Sequence, residues 1–174
     1  MNFRSASIRI YAFTFCVMQA VAQQPSPAAK ERNPGPSLEV QTVDGTVLKI
    51  HEMRDKVVLL DFMTTVCPSC KLASLGLQKL YRDFGPKGFH PVAVALNVDS
   101  AAPLKDYMRE HGLTFTFGMT PRNDIVKYLS HPQDRPMHVP TIVLLDRRGR
   151  IYSVEVGWNG EEAVRRQIVK LLAE

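Results

Sequence analysis

Cys67-Pro68-Ser69-Cys70 stands directly behind a short apolar run, Lys56-Val57-Val58-Leu59-Leu60-Asp61-Phe62. A leucine- and valine-rich run this short, bounded by polar residues, reads as a strand buried on both faces. Pro68 lacks an N–H and suits the first position of a helix, where no intrahelical donor is needed. The spacing therefore predicts a strand, a brief turn and a helix whose amino end carries the first thiol. Unpaired backbone N–H groups and the helix dipole favour an anion there. The Cys67 thiol is expected to ionise below its ordinary value of about 8.5, toward the range of roughly 3.5–7.5 known for such motifs. Cys70 follows one turn on, within bonding reach and more buried. A Cys67 thiolate can attack a substrate sulfur, and Cys70 can resolve the mixed disulfide. The other use of such a pair is half a zinc site, but the chain has no second pair of this spacing and no closely spaced histidines.

Cysteine usage sharpens that reading. Of the three cysteines, Cys16 lies in a leader-like segment: Arg4 and Arg9, an apolar stretch from Ile10 to Met18, then Ala20-Val21-Ala22. Basic, apolar and small-residue regions in that order read as a cleavable secretory signal over residues 1–22, its apolar part short for a bilayer span, with an uncleaved membrane anchor as the alternative. Its removal would leave only Cys67 and Cys70, and a disulfide closing so small a loop stabilises little. The expected location is extracytoplasmic, such as a periplasm. Residues 23–37 hold four prolines and almost nothing apolar and read as a linker. Residues 38–174 read as one domain. The formal charge of +5 falls by two, to +3, without Arg4 and Arg9, which leaves no electrostatic footprint for nucleic acid.

Within the domain the pattern alternates strand and helix. Leu38 to Thr42 and Thr46 to Ile50 flank the hairpin signal Asp44-Gly45. A helix is expected over Pro68 to Phe84, with Leu72, Leu75, Leu80 and Phe84 as its apolar stripe. Pro91 to Val98 reads as a second buried strand, Ala101 to His111 and Arg122 to Leu129 as helices. Thr141 to Asp146 and Ile151 to Gly157 read as a hairpin turned at Gly149, and Glu161 to Leu172 as a closing amphipathic helix. This order predicts an α/β fold: a mixed central sheet with helices on both faces, a leading β-hairpin and a central αβ insertion.

Val58-Leu59-Leu60-Asp61-Phe62 followed by the cysteine pair resembles the active-site strand and helix of thioredoxins, and Val139-Pro140-Thr141 resembles the loop that faces their disulfide. With the hairpin and insertion, residues 38–174 resemble the TlpA/ResA-like extracytoplasmic branch of that family. The resemblance implies Cys67 as nucleophile, Cys70 as resolving thiol and Pro140 as a cis proline. It implies Val139, Pro68 and Ser69 as the surface that meets substrate, and Asp61 as a buried acid that accepts the Cys70 proton. It also implies disulfide exchange with exported proteins, as a reductant recharged by a membrane electron donor, with no cofactor or metal. Met63 and Val66 stand where the family usually has tryptophans. Ala73 and Leu75 replace the glutamate and proline of the cytochrome c maturation reductases, so the resemblance does not extend to a substrate.

Two alternatives keep the same cysteines. Thr64, three residues before Cys67, matches the threonine of peroxiredoxins, although Leu60 replaces their proline; that reading is a thiol peroxidase. His138, two residues before Pro140, could join Cys67 and Cys70 as a Cu(I) site, since thiolate and imidazole suit that ion; that reading is a copper chaperone. Trp158 reads as packing or turn surface.

Overall fold

The computed structural model describes residues 32–174; the proposed secretory signal and the first part of the linker lie outside them. The strands are β1 (Glu39–Thr42), β2 (Val47–Lys49), β3 (Val57–Met63), β4 (Phe89–Ala95), β5 (Thr116–Met119), β6 (Thr141–Leu145) and β7 (Ile151–Val156). They form one mixed sheet in the order β2-β1-β5-β4-β3-β6-β7. The helices are α1 (Pro68–Phe84), α2 (Ala101–His111), α3 (Arg122–Tyr128) and α4 (Glu161–Leu172). The leading hairpin and the αβ insertion, here α2 and β5, are both present.

β3 lies inside the sheet, parallel to β4 and antiparallel to β6, and every one of its residues is buried. Side chains alternate across a strand, so β3 feeds two cores. Val58, Leu60 and Phe62 pack with Ile125 and Tyr128 of α3 on one face. Val57, Leu59 and Met63 pack with α1, α2 and α4 on the other. Fully burying side chains of this size stabilises by about 1.5–3 kcal/mol each. Asp61 shares the parity of Val57, Leu59 and Met63, so the alternation that builds the core sends a carboxyl toward α1.

Three local expectations need correction. On α1 the inward row is Cys70, Ala73, Leu77, Leu80 and Phe84; Leu72 and Leu75 face outward, 61% and 36% exposed. Both leucine sets fit a helical period, and only the position of the sheet decides which is inside. The second buried strand runs from Phe89 to Ala95 rather than to Val98, because Asn97 turns away to bond Thr65. The strand of the insertion, β5, carries no local signal that bounds it: Thr-Phe-Gly-Met is short, and glycine is a poor strand former. Its glycine is nevertheless required, since a Cβ on Gly118 would come within 2.5 Å of Val40 and 2.6 Å of the Gln41 carbonyl on β1. Finally, residues 32–37 of the expected linker engage the domain. Arg32 donates to Asp146 and Glu174, Gly35 N–H donates to Gly149, and Pro34 bridges to Arg150.

Candidate active site

β3 ends at Met63, and the chain reaches α1 through residues 64–67. Two hydrogen bonds brace this turn: Thr65 N–H to Asn97 Oδ1 at 3.0 Å and Asn97 Nδ2 to Thr65 Oγ1 at 2.9 Å. Asn97 follows β4, so the parallel pair β3–β4 sets the start of α1. Cys67 is the N-cap of that helix and Pro68 its first residue. Its Sγ accepts the Cys70 backbone N–H at 3.2 Å and lies 3.2 Å from Ser69 Oγ. Partial burial opposes ionisation, but the hydrogen bonds from the Cys70 and Ser69 side chains and backbones outweigh it and hold the Cys67 thiol below its ordinary value.

Cys70 is buried. Burial first, and then the neighbouring Cys67 sulfur, push its thiol up to about 12. The two sulfurs thus have opposite characters: one partly exposed and easily ionised, one enclosed and held protonated. Both are free thiols.

Asp61 is wholly enclosed, and neither of its carboxyl oxygens has a hydrogen-bond partner. Its strand neighbours are Ala93 on β4 and Ile142 on β6, which offer nothing polar. Desolvation, with a smaller contribution from the Cys67 charge, pushes its carboxyl up to about 8. An isolated buried carboxylate is costly and shifts its titration instead.

The loop before β6 completes the site. The Val139–Pro140 peptide bond is cis. The Cys67 thiol donates to the Val139 carbonyl at 3.8 Å, a long sulfur contact that ends when the proton leaves. Thr141 Oγ1 donates to the His138 carbonyl at 2.6 Å, and Gly157 N–H donates to the Pro140 carbonyl at 2.8 Å, which ties the loop to the end of β7.

Cys67, Ser69, Cys70, Asp61 and Val139 are therefore brought together, with Pro68 and Pro140 shaping the two approaching backbones. His138 is exposed, and among the described residues no three His, Cys, Asp or Glu side chains converge as metal ligands. The proposed His138–Cys67–Cys70 copper set is thus not assembled among the described residues. Thr64 meets Cys67 through its carbonyl, which accepts the Cys67 N–H at 3.3 Å. Trp158 packs as expected, its ring lying over Gly76 of α1 where a Cβ would come within 2.5 Å. With Leu72 and Leu75 it lines a surface groove.

Three neighbours escaped the sequence reading. Thr65 and Asn97 carry no motif. Ser74 did carry a signal, since it lies four residues after Cys70 and so on the same helix face.

A thioredoxin-like domain with one dithiol at a helix start is the class that this fold and site define. Residues 32–154 match the AhpC/TSA family, and the chain belongs to it. The chain is 25% identical over 125 residues to the thiol-disulfide oxidoreductase ResA of Halalkalibacterium halodurans, covering 72% of this chain and 68% of that protein. It is 27% identical over 128 residues to the thioredoxin-like protein YneN of Bacillus subtilis, covering 74% and 72%. Among solved structures, a thioredoxin-family thiol:disulfide interchange protein of Chlorobium tepidum superposes with a TM-score of 0.72 at 23% identity, over 83% of this chain and 99% of that one. StoA of Bacillus subtilis superposes with a TM-score of 0.60 at 21% identity, over 80% and 98%.

Proposed function

We propose that the protein is a thiol–disulfide oxidoreductase that reduces disulfides in exported proteins. The observation that carries the proposal is the polarised pair: Cys67 Sγ accepts a helix-start N–H while Cys70 sits buried behind it beside a buried carboxyl. The Cys67 thiolate attacks one sulfur of the substrate disulfide and the other leaves as a thiolate. Asp61 takes the Cys70 proton. The Cys70 thiolate then attacks Cys67 Sγ, the second substrate sulfur leaves, and a Cys67–Cys70 disulfide remains. Two electrons have passed to the substrate, and an external dithiol donor, held at the membrane, must return them. Val139, Ser69 and Pro68 border the attacking sulfur and form the surface on which the substrate backbone lies.

Hydrogen bonds from the Cys70 and Ser69 side chains and backbones stabilise the Cys67 thiolate, and the potential of the couple decides the direction of exchange. Export is supported by the basic, apolar and small-residue order of the first 22 residues.

Reduction of insulin disulfides tests the assignment. The Cys67→Ser variant is expected to lose turnover, and the Cys70→Ser variant to attack once and accumulate a mixed disulfide detectable by mass. Equilibration with glutathione tests the direction: a potential near about −270 mV marks a reductant and one near about −120 mV an oxidant. Full turnover by Cys67→Ser would refute the nucleophile.

A further inference from the structure

α1 buries one face and leaves another open. Pro68, Leu72, Leu75, Lys79 and Arg82 recur at intervals of four and three, so they form one row along the helix. All five are exposed, and the row starts beside Cys67, the N-cap. At a rise of about 1.5 Å per residue, Leu72 lies about 6 Å and Arg82 about 21 Å along the axis from Pro68. Single exposed apolar residues are ordinary, whereas a contiguous patch marks a contact surface. Leu72 and Leu75 are the only exposed leucines among the described residues, and both line one groove with Trp158. Glycine disfavours a helix interior, yet at Gly76 the Trp158 indole closes on α1 and would lie within 2.5 Å of any Cβ. The indole thus adds an aromatic wall to the two leucines.

The groove adjoins the dithiol by two routes. Along α1, Leu72 stands one turn beyond Pro68. Across the site, Trp158 follows Gly157, whose N–H donates to the Pro140 carbonyl at 2.8 Å. The same loop carries the Val139 carbonyl that meets the Cys67 thiol. A chain laid against Cys67 therefore has the groove as its next surface. The far end of the groove is lined by Lys79, Arg82 and Glu161. The Glu161 carboxylate is held by Lys79 at 3.4 Å and by Arg165 at 2.9 Å, so its charge is balanced within the protein. Arg82 enters no ion pair among the described residues. The groove is thus apolar near the sulfurs and positive at its other end.

We propose that this groove docks the polypeptide flanking the substrate disulfide, with large apolar side chains against Leu72, Leu75 and Trp158 and a carboxylate at Arg82. The inference rests on the oxidoreductase reading given above and supplies its substrate class. Apolar area removed from water drives the contact, and the carboxylate fixes its register. An extended chain advances about 3.3–3.6 Å per residue. The apolar residues therefore belong about two and three positions from the reactive cysteine, and the acid about six.

The probe is a synthetic peptide symmetric about one cysteine, so that either chain direction presents the same groups. Leucines stand two and three residues from the cysteine and glutamates six, with serines elsewhere, and the thiol is joined to 2-thiopyridine. The Cys67 thiolate attacks the peptide sulfur, the peptide–pyridyl disulfide breaks, and 2-thiopyridone leaves and is read by its absorbance. Cys70, its proton passing to Asp61, then displaces the peptide thiolate and leaves the Cys67–Cys70 disulfide. The reduced wild-type protein is expected to react about tenfold faster with this peptide than with one carrying serines for the leucines. Lysines in place of the glutamates should slow it about threefold. Leu72→Ser should lower the rate with the leucine peptide about fivefold, and Arg82→Glu should reverse the preference between glutamate and lysine. Both side chains are exposed, and unchanged rates with 2,2′-dipyridyl disulfide, too small to span the groove, certify a folded site. Equal rates for all three peptides, or wild-type preferences in both variants, would overturn the inference. A wild-type dimer that Leu72→Ser dissociates would also overturn it, because a second copy would then fill the groove. A wild-type protein that does not react with 2,2′-dipyridyl disulfide at all would instead overturn the oxidoreductase reading itself.

Discussion

Asp61 is held in a place where its charge is expensive, and its parity on β3 leaves it no alternative. The unfolded carboxyl titrates near 3.9, and the folded one is pushed up to about 8. Below about pH 4 both states hold the proton and the residue is neutral to stability. As pH rises toward 8 the unfolded chain has released its proton while the folded one retains it. The unfolded state thus gains, and stability falls across that window. In the reduced protein, Asp61→Asn is expected to match wild type near pH 4 and to exceed it at pH 8 by on the order of 2–5 kcal/mol. Thermal unfolding at the two pH values measures this. An equal gain at both would place the effect in packing rather than in charge. The same variant should slow Cys70 resolution, so the residue exchanges stability for reactivity.

Among the elements, β5 shows how one missing side chain governs topology. The hairpin β1–β2 joins the sheet only because β1 runs antiparallel to β5 through Gln41↔Met119 and Thr42↔Gly118. A Cβ at position 118 would meet Val40 Cγ1 at 2.5 Å and the Gln41 carbonyl at 2.6 Å. The backbone carbonyl has no rotamer by which to yield. Gly118→Ala is therefore expected to destabilise by about 1–3 kcal/mol, the usual cost of overpacking. A lower urea midpoint would show this, with lost exchange protection concentrated in β1 and β2. The cysteines, on the far side of β4, should keep their alkylation rates.

For the whole molecule, the closing contacts come from residues far apart in the chain. Asp146 is buried and accepts from the backbone N–H groups of Arg148 and Arg150 and from the side chains of Arg150 and Arg32. Burial alone would raise its titration; these donors outweigh it and hold the carboxyl below the ordinary range. Its contribution is present above the unfolded value near 3.9 and is lost as pH falls through the folded one. Arg32 also grips Glu174, 142 residues further along the chain. Arg32→Ala is expected to cost about 1–2 kcal/mol, most of it from the bond to buried Asp146, since exposed pairs contribute little. Hydrogen exchange should quicken at the Gly35 and Ile151 amides, which pair with Gly149 and Asn33. Unchanged exchange there would mean that the segment holds without Arg32.

What could be read from residues alone was whatever depends on neighbours in the chain. The cysteine spacing with Pro68 announces a thiol at a helix start, and the buried run before it announces a central strand. The bounds of α2 and α4 follow from local periodicity, because helical contacts lie within four residues. What needed the tertiary structure depends on what a surface packs against. Leu72 and Leu75 satisfy the same period as Ala73 and Leu77, and only the place of the sheet turns them outward. Gly118 weakens a strand by propensity and is required once β1 lies over it. Tyr107 reaches the region behind Cys70 from a helix thirty-seven residues away, and no local pattern encodes that meeting. Short-range geometry is written in spacing, whereas the identity of a distant neighbour exists only after the chain has folded.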